Sequence, residues 1–183
     1  MAATSSSLSI RPAHAGDLDD IIRADIAASA LFAPTGLLSP EALDDHVEKQ
    51  ALLASIDADQ LDVAELPDDG VVGFSQFTRI GNDIYLQQIS VDPAFGRRGI
   101  GRRLMARLDE RAEETGAAQI TLSTFRDLAW NGPFYASLGF TEVSRRAYAP
   151  YMTAIETSQA PFMDISKRVF MRKPVRKHTK RVK

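Results

Sequence analysis

The stretch Leu86–Ala112, LQQISVDPAFGRRGIGRRLMARLDERA, decides the fold of this chain. A run typical of a β-strand ends in Val-Asp-Pro, a loop rich in glycine and arginine follows, and the loop opens directly into an amphipathic helix. Apolar residues recur at every fourth position of this helix: Ile100, Leu104, Leu108 and Ala112. This spacing predicts a helix over 99–115, with Gly116 as its stop.

The same order of elements predicts an anion site. The first turn of a helix presents backbone N–H groups and the positive end of the helix dipole. Gly99 and Gly101 have no Cβ, so the backbone can come close to a ligand. Four arginines add positive charge: Arg97, Arg98, Arg102 and Arg103. The expected ligand is a phosphate or a pyrophosphate.

Two common phosphate motifs fit the loop badly. A Walker A loop needs Gly-x4-Gly-Lys-Ser/Thr, and the chain has no such run. A dinucleotide fingerprint needs Gly-x-Gly-x-x-Gly, but Gly99-Ile-Gly101 is followed by Arg-Arg-Leu. The loop is therefore neither of these.

A second block supports a different reading. Residues 120–140 read ITLSTFRDLAWNGPFYASLGF, and residues 168–172 read RVFMR. Together with the glycine-arginine loop, these blocks resemble the GNAT N-acetyltransferase superfamily, in particular a bacterial subgroup with TFRD-x-x-WN-x-PFY-x-x-LGF. The acetyl-CoA loop of that superfamily is written Gln/Arg-x-x-Gly-x-Gly/Ala, and here Gly96 occupies the Gln/Arg position. The resemblance covers roughly residues 8–174.

The resemblance implies an α/β, three-layer GNAT fold, with a mixed central sheet of about six to seven strands flanked by about four helices. The expected organisation is a flexible N-terminus over 1–7, one acetyltransferase domain over 8–173, and a basic tail over 174–183.

The resemblance also implies that acetyl-CoA is the cofactor. The loop would hold its pyrophosphate through Gly96, Arg97, Arg98, Gly99, Ile100, Gly101, Arg102 and Arg103. The backbone of the preceding strand would pair with the pantetheine arm through Ile89, Ser90 and Val91. Asn131 would either bind the cofactor arm or cap the helix that follows it.

Catalysis is expected to involve Tyr135, Gln87 and Gln88. In the family the tyrosine protonates the departing thiolate, which suits a phenol with a reference pKa near 10. Related sequences tend to carry Leu-Glu-Glu before the loop, whereas this chain has Gln87 and Gln88. Glutamine cannot take up a proton, although it can orient a water or bind the substrate. Three possibilities are left open: the amine arrives already neutral, activity is low, or the general base lies elsewhere, among Asp83, Glu156, Glu41, Asp44 and Asp45.

Three further residues are candidates for the acceptor pocket. Phe32 lies in a predicted loop that contributes to this pocket across the superfamily. Asp127 could pair with Arg126 or with a substrate amine. Trp130 could wall the pocket, but we favour packing in the core because large aromatic side chains are mostly buried.

Composition excludes several classes of function. The chain has no cysteine, which removes disulfides and thiolate metal sites, and its three histidines lack metal-ligand spacing, so no metal is expected. No run of 18 apolar residues occurs and the first residues do not resemble a secretory signal, so we expect a cytoplasmic protein without a membrane span.

Charge is distributed unevenly. Residues 1–70 have a net charge of −11 and residues 172–183 a net charge of +7. The acidic third could favour a cationic substrate, or could simply be solvated helix faces. The basic tail could contact nucleic acid, anionic lipid or another subunit, but we favour a solvated, disordered tail. No aromatic platform accompanies the charge, so we expect no nucleic-acid partner.

The predicted function is transfer of an acetyl group from acetyl-CoA to a primary amine of a small molecule or peptide. The alternative is an acyl-CoA-binding module of the same fold with weak or no turnover, motivated by Gln87 and Gln88. A homodimer is left open, because dimers are common in the family.

The remaining elements are predicted more coarsely. Strands are expected at 8–11, 61–66, 71–79, 84–91, 118–125, 140–146 and 168–173. Helices are expected from 16–17 onward, from 39 to about 56 with a bend, and over 131–138, with a helical turn at 153–158. A loop is expected at 31–36.

Overall fold

The computed structural model of the chain describes residues 7–175. Within this range there are six α-helices: α1 (Leu18–Ser29), α2 (Pro40–Asp44), α3 (Lys49–Asp57), α4 (Ile100–Glu114), α5 (Gly132–Ala136) and α6 (Pro150–Gln159). The described range also contains seven strands: β1 (Ser9–Pro12), β2 (Leu61–Leu66), β3 (Gly70–Ile80), β4 (Asp83–Val91), β5 (Gln119–Phe125), β6 (Thr141–Glu142) and β7 (Arg168–Pro174). The strands form one mixed sheet in the order β1-β2-β3-β4-β5-β7-β6.

The chain divides into two compact units. One contains the residues up to Phe77 together with Gln88–Arg107, and the other contains Thr78–Gln87 together with the residues from Leu108 onward. The division falls within β3, β4 and α4.

In the first unit, an antiparallel meander of β1, β2 and β3 has a hydrophobic cluster on each face. Because successive side chains of a strand point to opposite faces, Val63 and Val71 join one cluster while Ala64 and Val72 join the other. The first cluster also contains Ile21 of α1 and Leu52 of α3. The second also contains the buried apolar residues of the first turns of α4, Ile100 and Leu104. This unit alone therefore has helix, sheet and helix layers.

In the second unit, β5 is the central strand. β4 pairs with β5 in parallel over Ile84–Leu86, and β7 pairs with β5 in antiparallel register along its whole length. A cluster of Tyr85, Val143, Met152 and Phe170 packs with residues of α6 and of the segment before it. Aromatic rings carry much of this packing, with edge-to-face contacts such as that of Tyr148 on Phe170.

The structure confirms the predicted strand–loop–helix order and corrects four predictions. A loop was expected at 31–36, but all of these residues except Gly36 lie in a 3₁₀ helix, Ala30–Thr35. The helix predicted from residue 39 to about 56 is two helices, α2 and α3, separated at 45–48. The strand predicted at 140–146 contains only the two residues of β6 before a 3₁₀ turn at Arg145–Ala147. The helical turn predicted at 153–158 is a ten-residue helix, α6.

Two predicted segments lie wholly or largely outside the described residues. Most of the predicted N-terminal segment 1–7 and the tail from residue 176 onward are not described.

Candidate functional site

The glycine-arginine loop leaves β4 through a tight, hydrogen-bonded turn. Asp92 accepts a hydrogen bond on its carboxylate from the N–H of Ala94 at 2.9 Å, and its own N–H donates to the carbonyl of Val72 at 2.9 Å. The N–H of Gly96 donates to the carbonyl of Pro93 at 3.0 Å. The start of the loop is therefore fixed to the sheet of the first unit.

The loop backbone enters the left-handed region twice. Arg97 has φ of +61° and Gly99 has φ of +77°. A positive φ is uncommon for a residue with a Cβ, and such conformations occur often at ligand sites. The carbonyl of Gly99 then accepts the first helical hydrogen bond, from the N–H of Arg103 at 3.1 Å, so α4 begins immediately after Gly99. The predicted anion geometry, a helix N-terminus reached through a glycine loop, is present.

The arginine side chains surround this N-terminus on the exposed side. All four are exposed: Arg97, Arg98, Arg102 and Arg103. The guanidinium of Arg98 also lies 5.3 Å from the ring centre of Phe95. Ile100, which was predicted to contact the cofactor, has its side chain in the core, so only its backbone N–H can serve an anion.

The end of β4 presents two different faces in the first unit. Ile89 and Val91 pack into the apolar cluster with Val72 and Ile100, whereas Ser90 and Gln88 project to the opposite face. A Cβ built on Gly73 of β3 would lie 2.8 Å from the carbonyl oxygen of Ser90. Glycine at that position therefore allows β3 to approach the segment of β4 that was predicted to bind pantetheine.

A buried carboxylate that the sequence did not identify as functional faces Gln88. Asp25 of α1 is 3% exposed and accepts a hydrogen bond from Nε2 of Gln88. It also accepts from the hydroxyl of Ser90 at 3.0 Å and from the N–H of Val47 at 3.1 Å. Nε2 of Gln88 lies 3.2 Å from the same hydroxyl. We refer to Asp25, Gln88 and Ser90 as the α1–β4 polar cluster.

Burial is the main influence on the pKa of Asp25. Desolvation raises the pKa of Asp25 above the usual aspartate range, and the hydrogen bonds from Val47 and Ser90 oppose it only in part. His46 lowers this pKa and Asp45 raises it, both as smaller Coulombic effects. One signal could have found this residue, because Asp25 interrupts an otherwise apolar stripe on a predicted helix.

Tyr135 of α5 lies in the second unit and is buried. Its ring makes edge-to-face contacts with Phe134 and Phe140, with centroid distances of 5.2 and 5.9 Å. Burial raises the pKa of Tyr135 well above its ordinary value, and the nearby Arg168 opposes that shift. The phenol is therefore protonated at neutral pH, and its burial makes it a weaker acid than a phenol in water.

The neighbours of Tyr135 differ in part from the predictions. Asn131 precedes α5, but its side chain makes no capping hydrogen bond, so the capping role predicted as one alternative is wrong. Trp130 is 45% exposed, so the favoured reading of a core tryptophan is also wrong. Asp127 is exposed, and the guanidinium of Arg126 donates to both carboxylate oxygens of Glu142, at 3.1 and 3.3 Å.

The other predicted residues lie in different surroundings. Gln87 is exposed in the second unit, and Phe32 is half-buried in the 3₁₀ helix of the first. Two candidate bases have partners of their own: Asp83 accepts from Gln119 at 2.8 Å, and Glu156 pairs with Arg145 at 3.1 Å. The acidic candidates of α2 and its C-terminal end are exposed: Glu41, Asp44 and Asp45.

Comparison with known proteins finds similarity to acetyltransferases. Residues 57–142 match the acetyltransferase (GNAT) domain, and the whole fold resembles that of solved acetyltransferases. The PaiA N-acetyltransferase of Thermoplasma acidophilum, solved with coenzyme A, has a TM-score of 0.71 at 19% identity, covering 92% of this chain and 99% of that one. A putative acetyltransferase from Salmonella typhimurium, solved with acetyl-CoA, has a TM-score of 0.65 at 22% identity, covering 95% and 97%. The chain thus has the fold of these solved acetyltransferases, and its residues 57–142 are similar to the GNAT acetyltransferase domain.

Among curated proteins the chain is similar to ribosomal protein bS18-alanine N-acetyltransferases. It is 36% identical to the Salmonella typhimurium protein over 84 residues, which are 45% of this chain and 57% of that protein. It is 39% identical to the Escherichia coli K12 protein over 66 residues, which are 36% of this chain and 45% of that protein. The matched segment thus spans about half the length of these relatives.

Within residues 7–175, no helix combines the length and the apolar composition that a bilayer-spanning segment requires. In the same described range, histidine, aspartate and glutamate side chains do not assemble into a group of three or more that could ligate a metal ion.

Proposed function

We propose that this chain is an N-acetyltransferase that transfers the acetyl group of acetyl-CoA to a primary amine of a small molecule or a peptide. The observation that carries the proposal is the loop between β4 and α4. Its two left-handed residues, Arg97 and Gly99, lead directly into a helix N-terminus beside exposed arginines. That arrangement binds a pyrophosphate, and it lies within the segment that matches the GNAT domain.

In this proposal the chain binds two parts of acetyl-CoA: the anionic pyrophosphate and the amide-rich pantetheine arm. Backbone N–H groups of Gly99–Arg102, which precede the first helical hydrogen bond donated by Arg103, and the side chains of the exposed arginines bind the pyrophosphate. The backbone of Ile89, Ser90 and Val91 pairs with the pantetheine arm as an added strand would, and Asn131 contacts that arm.

The reaction is direct attack. The nitrogen of the neutral amine attacks the thioester carbonyl carbon, an N–C bond forms, the C–S bond breaks, and the nitrogen loses one proton. The departing thiolate gains one proton, so the products are an amide and coenzyme A. We assign the protonation of the thiolate to Tyr135, because it occupies the position of the tyrosine in the motif described above and a phenol with a reference pKa near 10 carries its proton at neutral pH.

In this proposal the acceptor amine binds near the first unit, whose N-terminal residues are acidic. The matched relatives act on the alanine of ribosomal protein bS18, so a peptide N-terminal amine is one acceptor class to test. The net charge of −11 over residues 1–70 favours a cationic substrate through its field. Phe32, Asp127 and Trp130 remain candidates for lining the acceptor pocket. We also propose that the reaction takes place in the cytoplasm, which agrees with the absence of cysteine from the sequence. The proposed assembly is a homodimer.

The test begins with binding. Thermal unfolding is followed with acetyl-CoA, and with ATP and NAD as controls. A ligand at 100 times its dissociation constant adds about 2.7 kcal/mol to stability. A rise with acetyl-CoA and not with the controls supports the loop as a CoA site, whereas no rise at millimolar acetyl-CoA contradicts the proposed function.

Turnover is then measured by the release of free thiol with a panel of amines, including peptides that begin with alanine. The chain has no cysteine, so a thiol-reactive dye reports coenzyme A without any protein background. Amine-dependent release above the rate of thioester hydrolysis supports the enzyme. Binding without any amine-dependent release across the panel favours the alternative, an acyl-CoA-binding module.

A further inference from the structure

The α1–β4 polar cluster contains a buried carboxylate that the reaction described above does not use. Asp25 is enclosed in the first unit and is contacted by Gln88, by Ser90 and by the backbone N–H of Val47. Burying a carboxylate carries a large desolvation cost unless donors compensate it. Three donors converge here, one of them a half-buried glutamine on the strand that leads to the loop.

The chemistry of the pair fixes the orientation of Gln88. An ionised carboxylate only accepts hydrogen bonds, so the group that faces Asp25 must be the NH₂ of the carboxamide. The other end, Oε1, is attached to the same planar carbon and therefore points away from Asp25. Without the carboxylate, the amide could present either end, because its two ends have nearly the same shape.

We propose that Asp25 is a positioning residue for the acetyl transfer: it holds Gln88 so that Oε1 accepts a hydrogen bond from an N–H of the acceptor amine. This inference rests on the proposed function and deepens it. Oε1 aligns the neutral amine, and the negative charge of Asp25 on the other side of the amide favours the positive charge that develops on the nitrogen as the N–C bond forms.

The contact between Asp25 and Gln88 also leads to a different interpretation of Gln88, which lies at a position where related sequences tend to carry glutamate. The carboxylate has not been lost from this part of the chain but lies on α1, in contact with the amide on β4. Gln88→Glu alone would place two carboxylates within hydrogen-bond distance, which raises one pKa strongly. We therefore expect that this single change lowers activity instead of restoring a missing base.

The experiment exchanges the two groups. In Asp25→Asn, the oxygen of residue 25 keeps the hydrogen bond from the N–H of Val47, so its NH₂ faces Ser90 and residue 88 and favours the flipped Gln88 amide, with NH₂ toward the substrate. In Asp25→Asn with Gln88→Glu, asparagine donates to a carboxylate and an acceptor again faces the substrate. Asp19→Asn is the matched control, since Asp19 lies on the same helix but is exposed and pairs with Lys49.

Each variant is assayed for kcat and KM with the best amine, for acetyl-CoA affinity, and for thermal stability. We expect Asp25→Asn to lower kcat/KM by at least about tenfold, the exchange variant to recover most of that loss, and Asp19→Asn to match the wild type. Acetyl-CoA affinity should stay within about twofold in all of them, because the loop is unchanged.

Gln88→Met keeps the length of the side chain and removes the amide, which covers the case in which Asp25→Asn is poorly folded. It should lose activity to a similar extent, and adding Asp25→Asn to it should cause little further loss, because Asp25 acts through the amide. The inference is overturned if folded Asp25→Asn or Gln88→Met keeps wild-type kcat/KM. It is equally overturned if the exchange variant is folded but no more active than Asp25→Asn. A wild type that binds acetyl-CoA but acetylates no amine refutes the proposed function first, and the inference with it.

Discussion

Gly99→Ala should weaken acetyl-CoA binding much more than it weakens the fold. Gly99 has φ of +77°, and a Cβ built there meets no atom within 4 Å. The cost to the free protein is therefore only that of a left-handed alanine, about 1–2 kcal/mol. For a domain of this size, each kcal/mol lowers the melting temperature by roughly 2–4 °C.

We expect Gly99→Ala to lower the affinity for acetyl-CoA more than it lowers the stability of the free protein. If the loop leaves the left-handed region, the N–H groups at the start of α4 are displaced; if it stays, the methyl group extends into the space through which a phosphate approaches. A tenfold weaker affinity is a modest expectation. At the acetyl-CoA concentration that adds about 2.7 kcal/mol to the wild type, the variant would then gain only about 1.4 kcal/mol.

Gly116→Ala is the matched control for this change. Gly116 also has a positive φ, +65°, and its Cβ also meets nothing within 4 Å, but it follows the C-terminal end of α4. Both variants should lose similar stability without ligand. Acetyl-CoA should then stabilise Gly116→Ala as much as the wild type, measured by thermal unfolding and by titration calorimetry. Equal acetyl-CoA affinity in the two alanine variants would refute the assignment of the loop.

Three further predictions concern the rest of the site. Tyr135→Phe should lower kcat by about 10²-fold with unchanged acetyl-CoA affinity. In the wild type, ionisation of this phenol should cause no loss of rate up to pH 10. A wild-type kcat in the variant would contradict the role of Tyr135 as the acid. Since the pKa of Asp25 is raised, its ionisation destabilises the fold as the pH rises through that pKa. Denaturant titrations should therefore show the wild type gaining stability relative to Asp25→Asn as the pH falls from 7 toward 4, and a constant difference would contradict the burial effect. Gly132→Ala should destabilise the chain by more than 1 kcal/mol in the same assay, because its Cβ would lie 2.2 Å from the carbonyl oxygen of Arg126; a neutral effect would show that α5 can shift.

The sequence predicted the loop and its two flanking elements well because their determinants are local. The apolar spacing of α4, the glycines of the loop and the strand before the loop all follow from residues within about thirty positions of one another. The same holds for β2, whose predicted and observed ranges are identical.

The predictions were wrong where the local structure depends on contacts with distant parts of the chain. Residues 140–146 have strand composition, but β6 pairs with β7 at only Thr141 and Glu142, an edge position that composition does not reveal. Trp130 was expected in the core on general grounds, and its exposure depends on how its segment is placed. Asp25 was missed because the role we propose for it depends on its contact with Gln88, 63 residues further along the chain.

The apolar anchoring of α4 has a consequence for the kinetics of ligand capture. Ile100 and Leu104 are fixed in the core of the first unit, so the amides of the first helical turn are preorganised before any ligand arrives. Association with a rigid site loses little conformational entropy at the protein. Rapid mixing with acetyl-CoA should therefore show one concentration-dependent phase without a slow isomerisation, and weakening the anchor with Leu104→Ala should introduce such a phase at an otherwise intact loop.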